Sequence, residues 1–179
     1  MIYEKKNKIY LIGFMGSGKS TLGKKLARLL HYDFSDLDQY IESTAAASIS
    51  NIFDLHGEDY FRNLESQCLN DFNNETYKVI ATGGGTPCFH DNMNLMLSHG
   101  CCVYIRMPEG ALLERLRKAA PKRPLLAGKE ETELRTFIHD TLKAREETYL
   151  KSHLVIDGVS LSMPSLAQIL KSKMLERPH

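Results

Sequence analysis

The stretch Gly13-Phe14-Met15-Gly16-Ser17-Gly18-Lys19-Ser20 decides the fold, because it has the pattern G-x-x-x-x-G-K-[ST]. An apolar run at residues 9–14 leads into it, as in a buried parallel strand, and leucines at helical spacing follow through residues 19–30. Glycines allow the backbone to curl until its N–H groups face a phosphate, and the start of the following helix adds partial positive charge. A chance glycine turn ahead of a helix is the alternative, and chance gives this pattern in roughly one chain in a hundred or fewer. The sequence therefore predicts a P-loop that binds a nucleoside triphosphate.

Residue types within this loop predict how the nucleotide is held. Lys19 is expected to reach the β- and γ-phosphates, and the Ser20 hydroxyl is expected to ligate Mg²⁺. The predicted cofactor is therefore Mg²⁺, with ATP as co-substrate. The residues expected to bind the nucleotide in this loop are Gly13, Gly16, Ser17, Gly18, Lys19, Ser20 and Thr21.

Apolar and helical patterns alternate along the rest of the chain. Further strands are predicted at residues 33–37, 79–82, 101–107 and 154–156. Helices are predicted at residues 49–72, with a break near Gly57, and at residues 111–116, 131–150 and 166–175. Residues 119–129 are rich in proline, glycine and charge and predict a loop. This alternation predicts an α/β fold, with a parallel sheet covered on both faces, in a single domain over residues 1–179.

The overall charge narrows the range of partners. A formal net charge of +1 provides no global basic field to hold nucleic acid or an anionic membrane. No apolar run approaches the ~20 residues that span a bilayer, and the N-terminus lacks the apolar core of a signal peptide. We therefore expect a cytoplasmic protein that binds small anions through local clusters of charge.

Two carboxylates, Asp36 and Asp38, stand at the end of the second predicted strand. Residues two apart on a strand face the same side, which can open onto the ligand crevice at the carboxyl end of a parallel sheet. One carboxylate could hold the magnesium shell while the other accepts a proton from an attacking hydroxyl. The alternative interpretation makes Asp38 the N-cap of a helix at residues 39–44.

Arg62 and Arg145 lie on or beside apolar stripes of predicted helices. A permanent charge on an inward stripe needs a partner, and the planar guanidinium of arginine suits a substrate carboxylate. The alternative is an ordinary ion pair within the protein, in the core for Arg145 or on the helix surface for Arg62. The candidate partners are Asp36, Asp38 or Glu65 for Arg145, and Glu58 or Glu65 for Arg62.

Two further segments are candidates for ligand contact. Gly83-Gly84-Gly85 follows the third strand, and three residues without Cβ let the backbone approach a ligand closely; a merely flexible loop is the alternative. The basic segment at residues 115–123 runs into Pro124-Leu125-Leu126. Such charges are usually solvated surface, but this loop could also close over ATP and deliver an arginine to the transferring phosphate.

With these motifs in view, the sequence resembles the shikimate kinases from about residue 8 to residue 170. The resemblance rests on the order and spacing of several motifs together. They are Gly13 to Thr21; Asp36-Leu37-Asp38 with Ile41-Glu42; Ile52-Phe53 with Gly57-Glu58, Phe61-Arg62 and Glu65; Gly83-Gly84-Gly85; Arg123-Pro124-Leu125-Leu126; and Arg145 with Tyr149. The sequence departs from the family at Ala45-Ala46, where Thr-Gly is usual.

This resemblance implies ATP-dependent phosphorylation of the shikimate 3-hydroxyl, a step towards chorismate and the aromatic amino acids. It implies a three-layer α/β/α fold of nucleoside-monophosphate-kinase type, with five parallel strands. A shikimate-binding region at about residues 36–72 and a mobile lid at about residues 118–130 are also implied. The expected partners are shikimate and ATP, without nucleic acid or membrane, and the chain is expected to act as a monomer.

The resemblance also assigns roles to residues. Asp38 would activate the substrate hydroxyl, and Arg62 and Arg145 would clamp the carboxylate. The implied catalytic residues are Lys19, Asp38 and Arg123. The implied substrate-binding residues are Asp38, Arg62, Gly83, Gly84, Gly85 and Arg145. Arg115 and the lid residue Arg123 join the nucleotide-binding set, and Ser20 and Asp36 would hold Mg²⁺, Asp36 through water.

Two alternatives stay open. Another small-molecule kinase of this architecture, such as a gluconate or adenylate kinase, could carry the same P-loop. A nucleotide-dependent switch is a different class, and Asp54-Leu55-His56-Gly57 has the D-x-x-G pattern that such a switch uses. That segment sits inside a helical pattern, however, and the sequence contains no N-K-x-D segment to read guanine.

Overall fold

The structure is a computed structural model that describes residues 7–119, 130–160 and 162–175. Five strands form one wholly parallel sheet in the order β2-β3-β1-β4-β5. The strands are β1 (Lys8–Ile12), β2 (Asp33–Asp36), β3 (Lys78–Ala81), β4 (Cys101–Arg106) and β5 (Leu154–Asp157). The fold class predicted from the sequence is therefore confirmed.

Helices connect these strands in the described ranges. They are α1 (Lys19–Leu30), α2 (Leu37–Ala45), α3 (Ile49–Asp71), α4 (Asn92–His99), α5 (Glu109–Ala119), α6 (Glu131–Tyr149) and α7 (Met163–Leu175), with a 3₁₀ turn at Thr86–Cys88. The sequence analysis predicted neither α4 nor the 3₁₀ turn, and it offered a helix in the region of α2, at residues 39–44, only as an alternative. The predicted break in α3 is confirmed, because Gly57 has a non-helical φ of 80° within it.

Alternation along the strands produces a core on each face of the sheet. In β1, Tyr10 and Ile12 enter an apolar cluster with residues of α3 and α6, whereas Ile9 and Leu11 enter a second cluster with α1 and α7. Successive side chains of a strand point to opposite faces, so a continuous apolar run is what a doubly covered strand requires. The three-layer α/β/α arrangement is thereby confirmed.

Helix α2 ends at an unusual cap. Ala46 adopts the left-handed conformation with φ 51° and ψ 31°. A Cβ is unfavourable there by roughly 1–2 kcal/mol, and glycine is the residue that normally closes a helix in this way. Ala46, which stands where glycine is usual in the family, therefore ends the helix in a strained left-handed conformation.

None of the helices within the described ranges is both long enough and apolar enough to cross a membrane.

Candidate active site

The loop between β1 and α1 has the backbone shape of a phosphate cradle. Gly13, Gly16 and Gly18 have φ values of 143°, 80° and 96°, which favour glycine over residues with a Cβ. Gly18 is the N-cap of α1 and offers no side chain to cap it, so the first amides of the helix stay directed out of the helix end. The Ser17 hydroxyl is buried and has no hydrogen-bond partner in the described part of the chain. These donors fit an anion such as a phosphate.

Lys19 lies folded back across this loop. Its Nζ donates to the carbonyl oxygens of Gly13 at 2.8 Å and of Phe14 at 2.9 Å, and the residue is 8% exposed. These contacts hold the ammonium group next to the amides of the cradle, where its charge adds to their partial positive charge.

A cavity of about 240 Å³ joins this loop to the ends of two neighbouring strands. The residues that line it come from the P-loop, the Asp36–Asp38 segment and the end of β3. They are Met15, Gly16, Gly18, Lys19, Ser20, Thr21, Asp36, Asp38, Thr82 and Gly84. A larger cleft of about 590 Å³ lies beside the ends of β4 and β5, but none of its lining residues belongs to the P-loop or to the predicted acceptor and metal sites, so the chemistry favours the smaller cavity.

Asp36, the last residue of β2, performs two tasks. Its Oδ2 accepts a hydrogen bond from the Ser20 hydroxyl at 2.5 Å, and its Oδ1 accepts from the backbone amides of Asp38 and Gln39 at the start of α2. Asp36 is thus the N-cap of α2, and the alternative that gave this role to Asp38 is wrong. The expectation that both carboxylates lie on a strand is also wrong, because the chain turns into α2 at Leu37.

The donor set at Ser20 and Asp36 fits Mg²⁺. A hydroxyl and a carboxylate oxygen 2.5 Å apart are hard ligands at the mouth of the phosphate cradle. Mg²⁺ keeps several of its waters and takes few protein ligands, so two suitable groups suffice.

Asp38 lies in the first turn of α2 and faces the same cavity. Burial raises the pKa of its carboxyl to about 6, the negative charge of Asp36 adds to the rise, and the positive charge of Lys19 opposes it. A carboxylate with a pKa near the working pH is well suited to accept a proton.

Gly83-Gly84-Gly85 allows protein groups to close on the end of β3. A Cβ on Gly83 would lie 3.0 Å or less from oxygens of Asp38, Glu65 and Thr86, and a Cβ on Gly85 would lie 2.7 Å from a guanidinium nitrogen of Arg62. A Cβ on Gly84 would lie 3.2 Å from the backbone nitrogen of Met15. The tripeptide therefore has a packing reason beyond flexibility, because it allows groups from α2, α3 and the P-loop to meet around it.

Arg62 is paired within the protein, as its alternative interpretation predicted. Its side chain is 11% exposed and forms salt bridges with Glu58 at 3.0 Å and Glu65 at 2.9 Å. The guanidinium also lies 3.9 Å from the centre of the Phe89 ring. Within the described residues these bonds use Nε and one N–H of each terminal nitrogen. Three of the five N–H donors are thus used there, and two remain for a further acceptor.

Arg145 behaves differently from Arg62. It is half-buried on α6 and forms no ion pair with any carboxylate of the described residues, so the core-pair alternative is wrong. The positive charges of Arg145 and Arg62 both oppose the rise in the pKa of the Cys88 thiol that burial causes. The fold therefore brings the two arginines to the same region from helices far apart in the sequence.

Arg115 lies beside the P-loop, on α5. One of its terminal nitrogens donates to the carbonyl oxygens of Gly16 at 3.2 Å and Ser17 at 3.3 Å. Arg123 and Pro124-Leu125-Leu126 lie outside the described residues, as does most of the predicted lid.

Comparison with known proteins agrees with this geometry. The family model for shikimate kinase matches residues 15–174. A shikimate kinase from Parabacteroides distasonis is 40% identical over 151 residues, which cover 84% of this chain and 87% of the relative. One from Bacteroides fragilis is 43% identical over 148 residues, covering 83% of each chain. This chain belongs to the shikimate kinase family.

Solved structures of shikimate kinases have the same fold. The enzyme from Bacteroides thetaiotaomicron aligns with a TM-score of 0.86 at 38% identity, covering 93% of this chain and 97% of that one. The enzyme from Acinetobacter baumannii, solved in complex with shikimate, aligns with a TM-score of 0.83 at 34% identity, covering 94% and 93%. A gluconokinase from Sinorhizobium meliloti, at 15% identity and a TM-score of 0.59, shares the fold alone.

The sequence analysis missed a series of buried hydrogen bonds that leads from Arg62 through Glu65 and Thr86 to Asn92. Glu65 entered as a candidate partner of the two arginines and as part of a family motif, but neither Thr86 nor Asn92 was selected at all. Thr86 donates to Glu65 at 2.5 Å, and Asn92 donates to the Thr86 carbonyl at 3.0 Å. Threonine and asparagine after a glycine turn are ordinary turn residues, so their types gave no signal.

Proposed function

We propose that this chain transfers the γ-phosphoryl group of ATP to the 3-hydroxyl of shikimate, forming ADP and shikimate 3-phosphate. Membership of the shikimate kinase family supports this function. The observation that carries it is the meeting of a phosphate cradle, the Asp38 carboxylate and Arg62 around Gly83-Gly84-Gly85, with Arg145 in the same region as Arg62 near Cys88.

At the phosphate side, the amides of residues 13–21 bind the phosphates, and Lys19 neutralises charge that builds up during transfer. Phosphoryl transfer needs mainly position and charge neutralisation, which fixed amides and an ammonium group provide. Arg115 would bound the adenine side of the nucleotide, and Arg123 would reach the transferring phosphate from the lid.

Ser20 and Asp36 would hold Mg²⁺, Asp36 through a water molecule. The ion, when bound, supplies positive charge that offsets the phosphate oxygens. The short contact between Ser20 and Asp36 keeps the two oxygens beside the cradle, and the capping bonds to α2 fix the direction of the Asp36 carboxylate.

At the acceptor side, Asp38 would accept the proton of the shikimate hydroxyl as the oxygen attacks the phosphorus. Its raised pKa makes the carboxylate a stronger base than an exposed aspartate, and Gly83 allows it to approach the end of β3. The backbone of Gly83-Gly84-Gly85 would contact the other hydroxyls of shikimate.

Arg62 and Arg145 would bind the shikimate carboxylate. Arg62 has two N–H donors left after its bonds to Glu58 and Glu65, and Arg145 has no carboxylate partner among the described residues. A substrate carboxylate would satisfy both, and bidentate geometry gives it a defined orientation.

We also propose that residues 1–179 form one kinase domain, with a shikimate-binding region at about 36–72 and a lid at about 118–130, and that it acts as a cytoplasmic monomer.

An assay of ADP release with shikimate, gluconate and AMP as competing acceptors tests the function. We expect ADP release with Mg-ATP and shikimate only, with product mass increased by one phosphate. Consumption of gluconate or AMP while shikimate stays unchanged would refute the proposal.

A further inference from the structure

We propose that Thr86 is a positioning residue for substrate binding, because its hydroxyl holds Glu65 in the orientation in which Glu65 directs Arg62. This inference rests on the proposed function, since it assumes that Arg62 binds the shikimate carboxylate. Thr86 itself would touch neither substrate nor nucleotide.

The contact between Thr86 and Glu65 is buried at both ends. Thr86 is 0% exposed and Glu65 is 1% exposed, and the Thr86 hydroxyl donates to Glu65 Oε1 at 2.5 Å. The other oxygen of that carboxylate, Oε2, accepts from Arg62 at 2.9 Å. A buried carboxylate needs a donor for each oxygen, so the two bonds together fix its rotation.

The backbone of Thr86 is fixed in turn from α4. Asn92, 1% exposed, donates its Nδ2 to the Thr86 carbonyl at 3.0 Å, and its Oδ1 accepts from the Ser66 hydroxyl at 2.8 Å. Ser66 and Glu65 are neighbours on α3. The series of hydrogen bonds therefore starts and ends on α3, the helix that also carries Arg62. This closed path ties the turn after Gly85 to the helix that presents the guanidinium.

The other contacts of Arg62 do not determine its direction by themselves. Glu58 has a side chain that is 54% exposed, so water and salt screen its attraction. The guanidinium lies over the Phe89 ring at 3.9 Å and over the Phe61 ring at 5.0 Å, and attraction to a ring face does not select one direction for the N–H groups. The buried bond to Glu65 is the contact that sets the rotation, and it is the one that Thr86 maintains.

This arrangement predicts that loss of the Thr86 hydroxyl changes shikimate binding more than nucleotide binding. If the Thr86 hydroxyl is lost, Glu65 Oε1 loses its donor, the carboxylate rotates, and the free N–H donors of Arg62 turn away from the substrate carboxylate. The P-loop and the cap of α2 keep their own contacts, because none of their hydrogen bonds involves Thr86 or Glu65. The predicted signature is a higher KM for shikimate, with an unchanged KM for ATP.

The test compares Thr86→Val, which has nearly the shape of threonine without the hydroxyl, with Thr86→Ser, which keeps the hydroxyl. We expect Thr86→Val to raise the KM for shikimate by about tenfold, with kcat and the KM for ATP within about twofold of wild type. Thr86→Ser should restore the KM for shikimate to within about twofold. A merely structural role of Thr86 would not produce this rescue together with an unchanged KM for ATP.

Asn94→Ala is the matched control, because Asn94 makes an exposed amide hydrogen bond to Asp91 beside α4 and has no link to Glu65. It should match wild type in every constant. If Thr86→Val does not fold, Thr86→Ala, which removes the hydroxyl without adding a methyl group, carries the same expectation.

A wild-type KM in Thr86→Val or Thr86→Ala, or an equal rise in Thr86→Val and Thr86→Ser, would overturn the inference. Wild-type protein in the same assay distinguishes the two proposals. Failure of wild type to phosphorylate shikimate would refute the proposed function itself, whereas normal turnover with an unaffected valine variant would refute only the role of Thr86.

Discussion

The two ends of the site are built in opposite ways. The nucleotide end, residues 13–21 with Arg115, comes mainly from one continuous loop and uses backbone amides, a lysine and glycines of positive φ. The acceptor end, which consists of Asp38, Arg62, Gly83-Gly84-Gly85 and Arg145, comes from four separate segments and uses buried charges.

This contrast shows where the fold contributes to function. A backbone cradle is specified locally, because glycine at the required turns is enough to form it. A pair of arginines and a carboxylate must be held by other elements, as Glu65 and Thr86 hold Arg62 and as the cap of α2 places Asp38. Substitutions at the acceptor end should therefore change substrate use while nucleotide binding persists.

The largest expected effect of this kind is that of Asp38→Asn. The substitution keeps the size of the side chain and removes the proton acceptor, so kcat should fall by about 10²- to 10⁴-fold. The dissociation constant for ATP, measured by calorimetry, should stay within about twofold, because the cradle and Lys19 are untouched. Unchanged turnover would remove Asp38 from the mechanism, and a parallel loss of ATP binding would show that the two ends are not separable.

A smaller effect of the same substitution concerns stability and pH. In the folded chain burial raises the pKa of Asp38 from 3.8 to about 6, so between these values the folded state binds more protons than the unfolded state. The stability contributed by this group is therefore present below about pH 4 and is lost as pH rises through 6. Asp38→Asn should melt a few degrees above wild type at about pH 7.5, and the difference should vanish near pH 4.

Melting curves across this pH range provide the measurement. Asp33→Asn, at an exposed position on β2, is the control and should show no such pH-dependent difference. A melting temperature for Asp38→Asn below that of wild type at neutral pH would mean that the ionised carboxylate stabilises the fold, contrary to this account.

The sequence specified the nucleotide end better than the acceptor end for physical reasons. The strand, loop and helix around Lys19 each follow from local patterns, and all three are confirmed. The start of α2 was predicted wrongly because Asp36 and Asp38 were interpreted as a strand end, and the alternative helix was given Asp38 as its N-cap. The pattern of Asp36 followed three residues later by Gln39 is a helix-start signature that could have revealed it.

The pairing of Arg62 and Arg145 illustrates what local patterns leave open. Arg62 lies beside an apolar stripe and Arg145 lies on one, yet it is Arg62 that has two carboxylate partners on α3, whereas Arg145 has none among the described residues. That difference depends on how α3, α6 and the turn after Gly85 pack together, which spacing along one helix does not encode.

The most direct test of the account compares shikimate with its methyl ester as acceptors, because the ester has the same hydroxyls and no negative charge. If Arg62 and Arg145 bind the carboxylate, wild-type kcat/KM should favour shikimate by about 100-fold or more. The variant Arg145→Met, once its melting curve shows that it is folded, should prefer shikimate over the ester by a smaller factor. The remaining preference would be the part that Arg62 alone provides. Equal use of acid and ester by wild type, or a folded Arg145→Met with undiminished preference, would contradict the account.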